Sequence, residues 1–162
     1  MSRELPNARH VIYLSLFIGL VVSVWPLPEM IRPFWPLWFG LIIIYWAMAT
    51  PLRVSVGIAW TGGLLLDVLQ GALLGENALA FMILALATRH WHLRLRVFPL
   101  AQQMLAVFFL ITVTQLVIYW IRGIAGTGIP LSQVFLPAMT SALTWPWVFI
   151  MLRELRRRYQ VN

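Results

Sequence analysis

The chain has 162 residues, of which 61% are hydrophobic and only 10% charged, and it carries a net charge of +7. Soluble domains are about 45–50% apolar and ~25% charged, so this composition excludes a soluble globular fold and leaves room for one integral membrane domain. All twelve basic residues are arginine and lie between or beyond the apolar runs. That placement marks topology determinants and excludes a nucleic-acid surface despite a pI of about 11.3, while the lack of cysteine excludes disulfides, thiol catalysis and cysteine metal sites.

In chain order, Met1–His10 is a polar start with Arg3 and Arg9. The apolar run 11–25 follows without an A-x-A-like cleavage site and ends in Trp25-Pro26, so it reads as an uncleaved first span with an interfacial tryptophan. The segment Pro26–Pro36 holds four prolines with Glu29 and Arg32 and reads as a loop. Residues 37–50 form the second span, Pro51-Leu52-Arg53 a tight turn, and 54–70 the third span. Gly71–Asn77 is a short turn, and 73–87 gives a short fourth span ending in a basic loop, Arg89–Arg96. Residues 104–121 form a strong fifth span, Arg122–Pro130 a glycine-containing loop, and 131–152 a sixth span interrupted by Pro137 and Pro146. Arg153–Asn162 is a basic tail.

With the N-terminus inside, ten arginines fall on the cytoplasmic side, and only Arg32 and Arg122 fall outside. This positive-inside asymmetry predicts an all-α, six-helix transmembrane bundle, a single multi-pass domain over 1–162 with both termini cytoplasmic. Dropping the weak fourth span would put the arginine-rich tail outside.

One stretch organises the chain: Gly62–Leu79, GGLLLDVLQGALLGENAL. Asp67 is a lone carboxylate in an apolar run, and Gly63, Asp67, Gly71 and Gly75 recur every fourth residue, which aligns them on one helix face. A charge inside a membrane span is expensive and marks a site by default. At about 1.5 Å per residue Asp67 lies roughly 20 Å beyond Val54, in the outer third of the bilayer. One acid without a second intramembrane charge makes a poor relay, so an ion pair or hydrogen bond within the bundle is the better use. Arg122, on the same side, is the expected partner. Gly62 and Gly63 suit close helix packing, and Gly71 and Gly75 suit a turn. His90 and His92 lack further ligands for a metal, and Arg89–Arg96 with Trp91 suits an interface facing anionic membrane lipid. Thr112, Thr114 and Gln115 within the fifth span suit interhelical hydrogen bonds. There is no H-E-x-x-H, G-x-S-x-G or P-loop pattern, so the residues give no sign of an enzyme.

Residues 36–79 carry Tyr45-Trp46, the Pro51-x-Arg53 turn, Gly57, Trp60, Gly63-Leu64-x-x-Asp67, Gly71, Leu74-Gly75 and Ala78-Leu79. Together with Trp145-Pro146-Trp147 and the basic tail, these resemble the bacterial rod-shape-determining MreD family in its gammaproteobacterial form, over essentially the whole chain. The resemblance implies a multi-pass inner-membrane component of the cell-elongation (rod) complex. Its partners would be the single-span scaffold MreC, the actin-like MreB, the glycosyltransferase RodA and a class B penicillin-binding transpeptidase. It implies control of lateral peptidoglycan synthesis without catalysis or cofactor. It also implies a fold similar to the S components of energy-coupling-factor transporters, an analogy that carries no ligand. The first expectation is a non-enzymatic scaffold that binds MreC, with Asp67, Gly63, Gly71 and Gly75 as the organising turn. Trp25, Trp35 and Trp38 would form an outer surface and Arg122 an ionic partner; a homo-oligomer stays open. The alternative is a small-molecule-binding or transporter subunit with a pocket lined by Asp67, Thr112, Thr114 and Gln115.

Overall fold

The computed structural model describes residues 8–54 and 56–161. The polar start up to Asn7, with Arg3, lies outside the described residues, as do Ser55 and Asn162. The described residues form six α-helices and one 3-10 turn, with no strand. The helices are α1 (Ala8–Ser23), α2 (Trp38–Ala49), α3 (Val56–Gln70), α4 (Glu76–Val97), α5 (Leu100–Ile124) and α6 (Ser132–Arg158), and the 3-10 turn is Arg32–Phe34.

The short helix α2 is the centre of the bundle. Every residue from Phe39 to Ala49 is buried, and α2 packs against α1, α4 and α6. A helix apolar on all sides belongs in the interior. Its aromatic residues hold the neighbours by edge contacts: Phe39 meets Phe81 of α4 with ring centres 5.1 Å apart, and Tyr45 meets Phe149 of α6 at 5.8 Å. The Trp46 indole N–H donates to Ser15 Oγ of α1 at 2.8 Å, so its one polar atom is satisfied in the core.

Burying a helix in apolar surroundings leaves its end groups without water, so other elements must supply partners. At the start of α2, Leu37 N–H donates to Ser141 Oγ of α6 at 2.9 Å, and Phe39 N–H to Ser23 Oγ of α1 at 3.3 Å. At its end, the Arg96 guanidinium donates to the carbonyls of Met48 and Ala49 at 2.7 and 2.6 Å. A cation suits the negative end of a helix. Arg96→Ala should lower stability by about 1–2 kcal/mol through these two lost charged hydrogen bonds, and Arg96→Lys should recover only part of it. Thermal unfolding of the detergent-solubilised protein checks this, and an unchanged midpoint for Arg96→Ala would remove Arg96 from the cap.

Three expectations need correction. Arg89–Arg96 is not a loop but the last part of α4, which runs to Val97. No glycine or proline interrupts the segment between Gly75 and Pro99, and the helix stops only where Phe98, the residue before proline, turns extended. The basic tail is likewise helical to Arg158. Pro137 and Pro146 do not break the sixth segment, because both lie inside the continuous α6. Thr140 donates to the carbonyls of Leu136 and Pro137, and Thr144 to those of Thr140 and Ser141. Helices α5 and α6 are each long and apolar enough to cross a membrane, while α1 and α3 are shorter apolar helices.

Candidate functional site

The buried polar cluster lies where α3 turns into α4. Gly71 takes a left-handed conformation at φ 62° and ends α3. Ala72 N–H then donates to Asp67 C=O at 2.9 Å, and Gly71 N–H to Val68 C=O at 3.4 Å. This is the Schellman closure of a helix C-terminus. Gly75, at φ 99°, precedes the first residue of α4.

Asp67, fully buried in the last turns of α3, faces the start of α4. Its Oδ2 accepts from Gly75 N–H at 2.8 Å and Ala78 N–H at 3.4 Å, and its Oδ1 from Asn77 N–H at 3.0 Å and the Asn77 side-chain amide at 2.9 Å. Glu76 N–H is taken by Leu73 C=O and Leu79 N–H by Gly75 C=O. Every backbone donor at the start of α4 is therefore satisfied, most of them by one carboxylate from the preceding helix. A carboxylate at this end also meets the positive pole of the helix dipole.

Gly63 lies four residues before Asp67 in α3 and makes this approach possible. A Cβ built there would stand 2.6 Å from Ala78 Cα and 2.6 Å from Asn77 O. The α3 backbone thus rests on the α4 backbone, with no room for a side chain. Gly62 meets the Phe39 ring of α2 in the same way. Gly71 and Gly75 have open space beside them and are required only by their backbone angles.

Arg122 does not pair with Asp67. It pairs with Glu76, with Arg122 Nη2 2.6 Å from Glu76 Oε1 and Arg122 Nε 3.1 and 3.2 Å from its two oxygens. The Glu76 side chain is fully buried and that of Arg122 is 31% exposed. The physical reason is occupancy: the Asp67 oxygens are already filled by N–H donors, whereas Glu76, the first residue of α4, points its carboxylate at α5. Exchanging the charges tests the assignment. Glu76→Ala should destabilise by about 2–4 kcal/mol, since it strands a partly buried charge. Glu76→Arg with Arg122→Glu should regain part of that loss, whereas Asp67→Arg with Arg122→Asp should regain none. Unfolding midpoints of the single and double variants decide it, and rescue of the Asp67 pair would overturn the assignment.

The three tryptophans differ in exposure. Trp25 is 61% exposed. Trp35 donates its indole N–H to Val22 C=O at 3.1 Å. Trp38 is half-buried in an edge-to-face relay, 5.8 Å from Trp35 and 6.3 Å from Trp147 of α6. Asp67, Thr112, Thr114 and Gln115 do not gather into a polar pocket. The Thr112 and Thr114 hydroxyls donate to Phe108 and Leu110 C=O in their own helix. Of the four residues, only Thr114 lines the cavity of about 400 Å³ between α4 and α5.

Sequence reasoning missed Gln103, whose amide donates to Leu95 and Phe98 C=O and whose carbonyl accepts the Trp145 indole N–H at 3.2 Å. One side chain thus ties the end of α4 and the middle of α6 to α5. The signal available was the pair Gln102-Gln103, just after Pro99 and between two apolar runs.

The buried acids Asp67 and Glu76 hold helices together. A family model described as rod shape-determining protein MreD matches residues 6–155. The chain belongs to the MreD family. It is 32% identical over 150 residues to the rod shape-determining protein MreD of Haemophilus influenzae, a match covering 92% of this chain and 93% of that one. No solved structure matches the chain. As an MreD-family member it is a membrane protein and a shape-determining protein. Within this MreD-family chain, the polar cluster around Asp67 joins α3 to the start of α4.

Proposed function

We propose that this MreD-family protein is a non-enzymatic scaffold of the bacterial inner membrane. Its single domain spans the bilayer six times with both termini in the cytoplasm. It binds MreC through exposed helix faces and the loops on the Arg122 side, and so biases lateral peptidoglycan synthesis by RodA and its penicillin-binding transpeptidase, with MreB beneath. The arginine asymmetry supports the orientation. The likeness to S components of energy-coupling-factor transporters belongs to the same proposal and concerns fold alone.

One observation carries the scaffold reading. The buried polar side chains Asp67, Glu76, Gln103 and Thr114 are each taken up by bonds within the bundle, while large apolar side chains stand exposed along the helices. Leu14, Phe17 and Ile18 do so on α1, and Leu143, Trp147 and Ile150 on α6. Buried polar groups used in this way stabilise packing, and exposed apolar faces on several helices suit lipid and partner helices. Photocrosslinkers at Met30, Leu74 and Ile124, all strongly exposed, test it in living cells. Capture of MreC is the expected outcome. If no component of the elongation machinery is captured from any of the three, the scaffold reading fails.

A further inference from the structure

We propose that the groove between α4 and α5 holds one acyl chain of an anionic phospholipid, with the lipid phosphate at Arg94. The groove encloses about 400 Å³ and is lined along its length by apolar side chains, among them Leu84, Leu95, Phe109 and Leu110. Trp91 and Phe98 lie beside Arg94 toward the end of α4. Arg94 is the one charged residue that lines it. At the other end lies Thr114, whose hydroxyl is already spent on Leu110 C=O. The groove therefore offers a polar ligand one cation and the Trp91 indole N–H, too few groups for a sugar, nucleotide or amino acid but enough for the acidic head of a hydrocarbon chain.

Length and charge agree with this occupant. From Ile83 to Arg94 the groove follows α4 for eleven residues, about 16 Å of helix. That is roughly half of a ~30 Å hydrocarbon core, the depth reached by the chains of one leaflet. Among the described residues no acid neutralises Arg94. Asp67 and Glu76 serve the opposite end of α4, Glu154 pairs with Arg158, and Glu29 lies between α1 and α2. Arg96, two residues on, is committed to α2. Basic pockets between transmembrane helices take acidic lipid head groups in this way. The inference rests on the chain being a membrane protein and not on its protein partners.

The experiment uses the full chain, purified and delipidated in detergent, with dioleoyl phosphatidylglycerol or dioleoyl phosphatidylcholine added back. Thermal unfolding gives the stabilisation, and native mass spectrometry counts retained lipid. Phosphatidylglycerol should raise the midpoint by several degrees more than phosphatidylcholine, with one tightly retained molecule. Arg94→Gln should erase that difference without lowering the lipid-free midpoint. Val113→Trp, at a half-exposed wall position, should expel the retained lipid of either head group. Equal stabilisation by the two lipids in the unaltered protein, or an undiminished preference in Arg94→Gln, overturns the proposal. Should Val113→Trp not fold, the Arg94→Gln comparison decides alone.

Discussion

Gly63→Ala should cost about 3–5 kcal/mol, a large share of the ~5–15 kcal/mol that holds a domain folded, although it adds a single methyl group. The methyl would stand 2.6 Å from Ala78 Cα and 2.7 Å from Ala78 N. These are backbone atoms and cannot rotate aside, so α3 and α4 must move apart. Overpacking of this kind costs about 1–3 kcal/mol by itself. The larger part follows one turn later along α3. Asp67 holds Gly75, Asn77 and Ala78 at 2.8–3.4 Å, and an added separation of about an ångström takes these bonds beyond hydrogen-bonding range. One methyl group therefore loosens the contact and the cap together.

The other glycines provide the scale. Gly71→Ala and Gly75→Ala meet no atoms but must hold φ at 62° and 99°, which costs about 1–2 kcal/mol. Gly123 lies inside α5 with nothing near it, and Gly123→Ala should be neutral or stabilise by up to ~1 kcal/mol. The unfolding midpoint should thus fall in the order Gly123, then Gly71 and Gly75, then Gly63. A Gly63→Ala midpoint equal to that of Gly123→Ala would show that the helices are not locked at this point.

The order of the helices and most of their turns were legible because prolines, glycines and arginines punctuate the apolar runs. Pro51, Gly71 and Pro99 each stand between two helices. The central position of α2 was not legible. In a soluble protein an all-round apolar helix announces the core, but in lipid the outside is as apolar as the inside, and the pattern loses its meaning. The Ser23, Ser141 and Arg96 caps of α2 were invisible for a related reason. They come from residues 16 to 104 positions away in sequence, and nothing local marks them. The basic segments at the ends of α4 and α6 read as loops because charge was equated with the end of a helix. A helix ends where its backbone is interrupted, not where the hydrocarbon stops. Arg122 was recognised but joined to the wrong acid, since Asp67 and Glu76 converge on the same end of α4 and only coordinates show which one is already filled.

That convergence sets the second large effect. Asp67→Ala should cost about 3 kcal/mol or more, because it leaves three N–H donors within 3.0 Å of an empty position, and a stranded buried donor costs about 1–3 kcal/mol before relaxation. Polar contacts in membrane bundles average nearer ~0.6 kcal/mol, but those values describe neutral side chains that find substitute partners. Here the substitute would have to be water at a fully buried residue. Asp67→Asn separates geometry from charge. It keeps one acceptor oxygen but turns an amide N–H₂ toward a backbone donor, either Gly75 or Asn77, so it should lose about half as much as alanine. Asp67→Glu keeps the charge but adds a methylene where Gly63 permits no separation of the helices, so it should be no better than Asn. Shape restoration in rod-shaped cells lacking their own copy should follow the unfolding midpoints, with alanine giving the roundest cells. Round cells from an Asp67 variant of wild-type stability and abundance would assign this carboxylate a direct role in partner contact instead of in the fold.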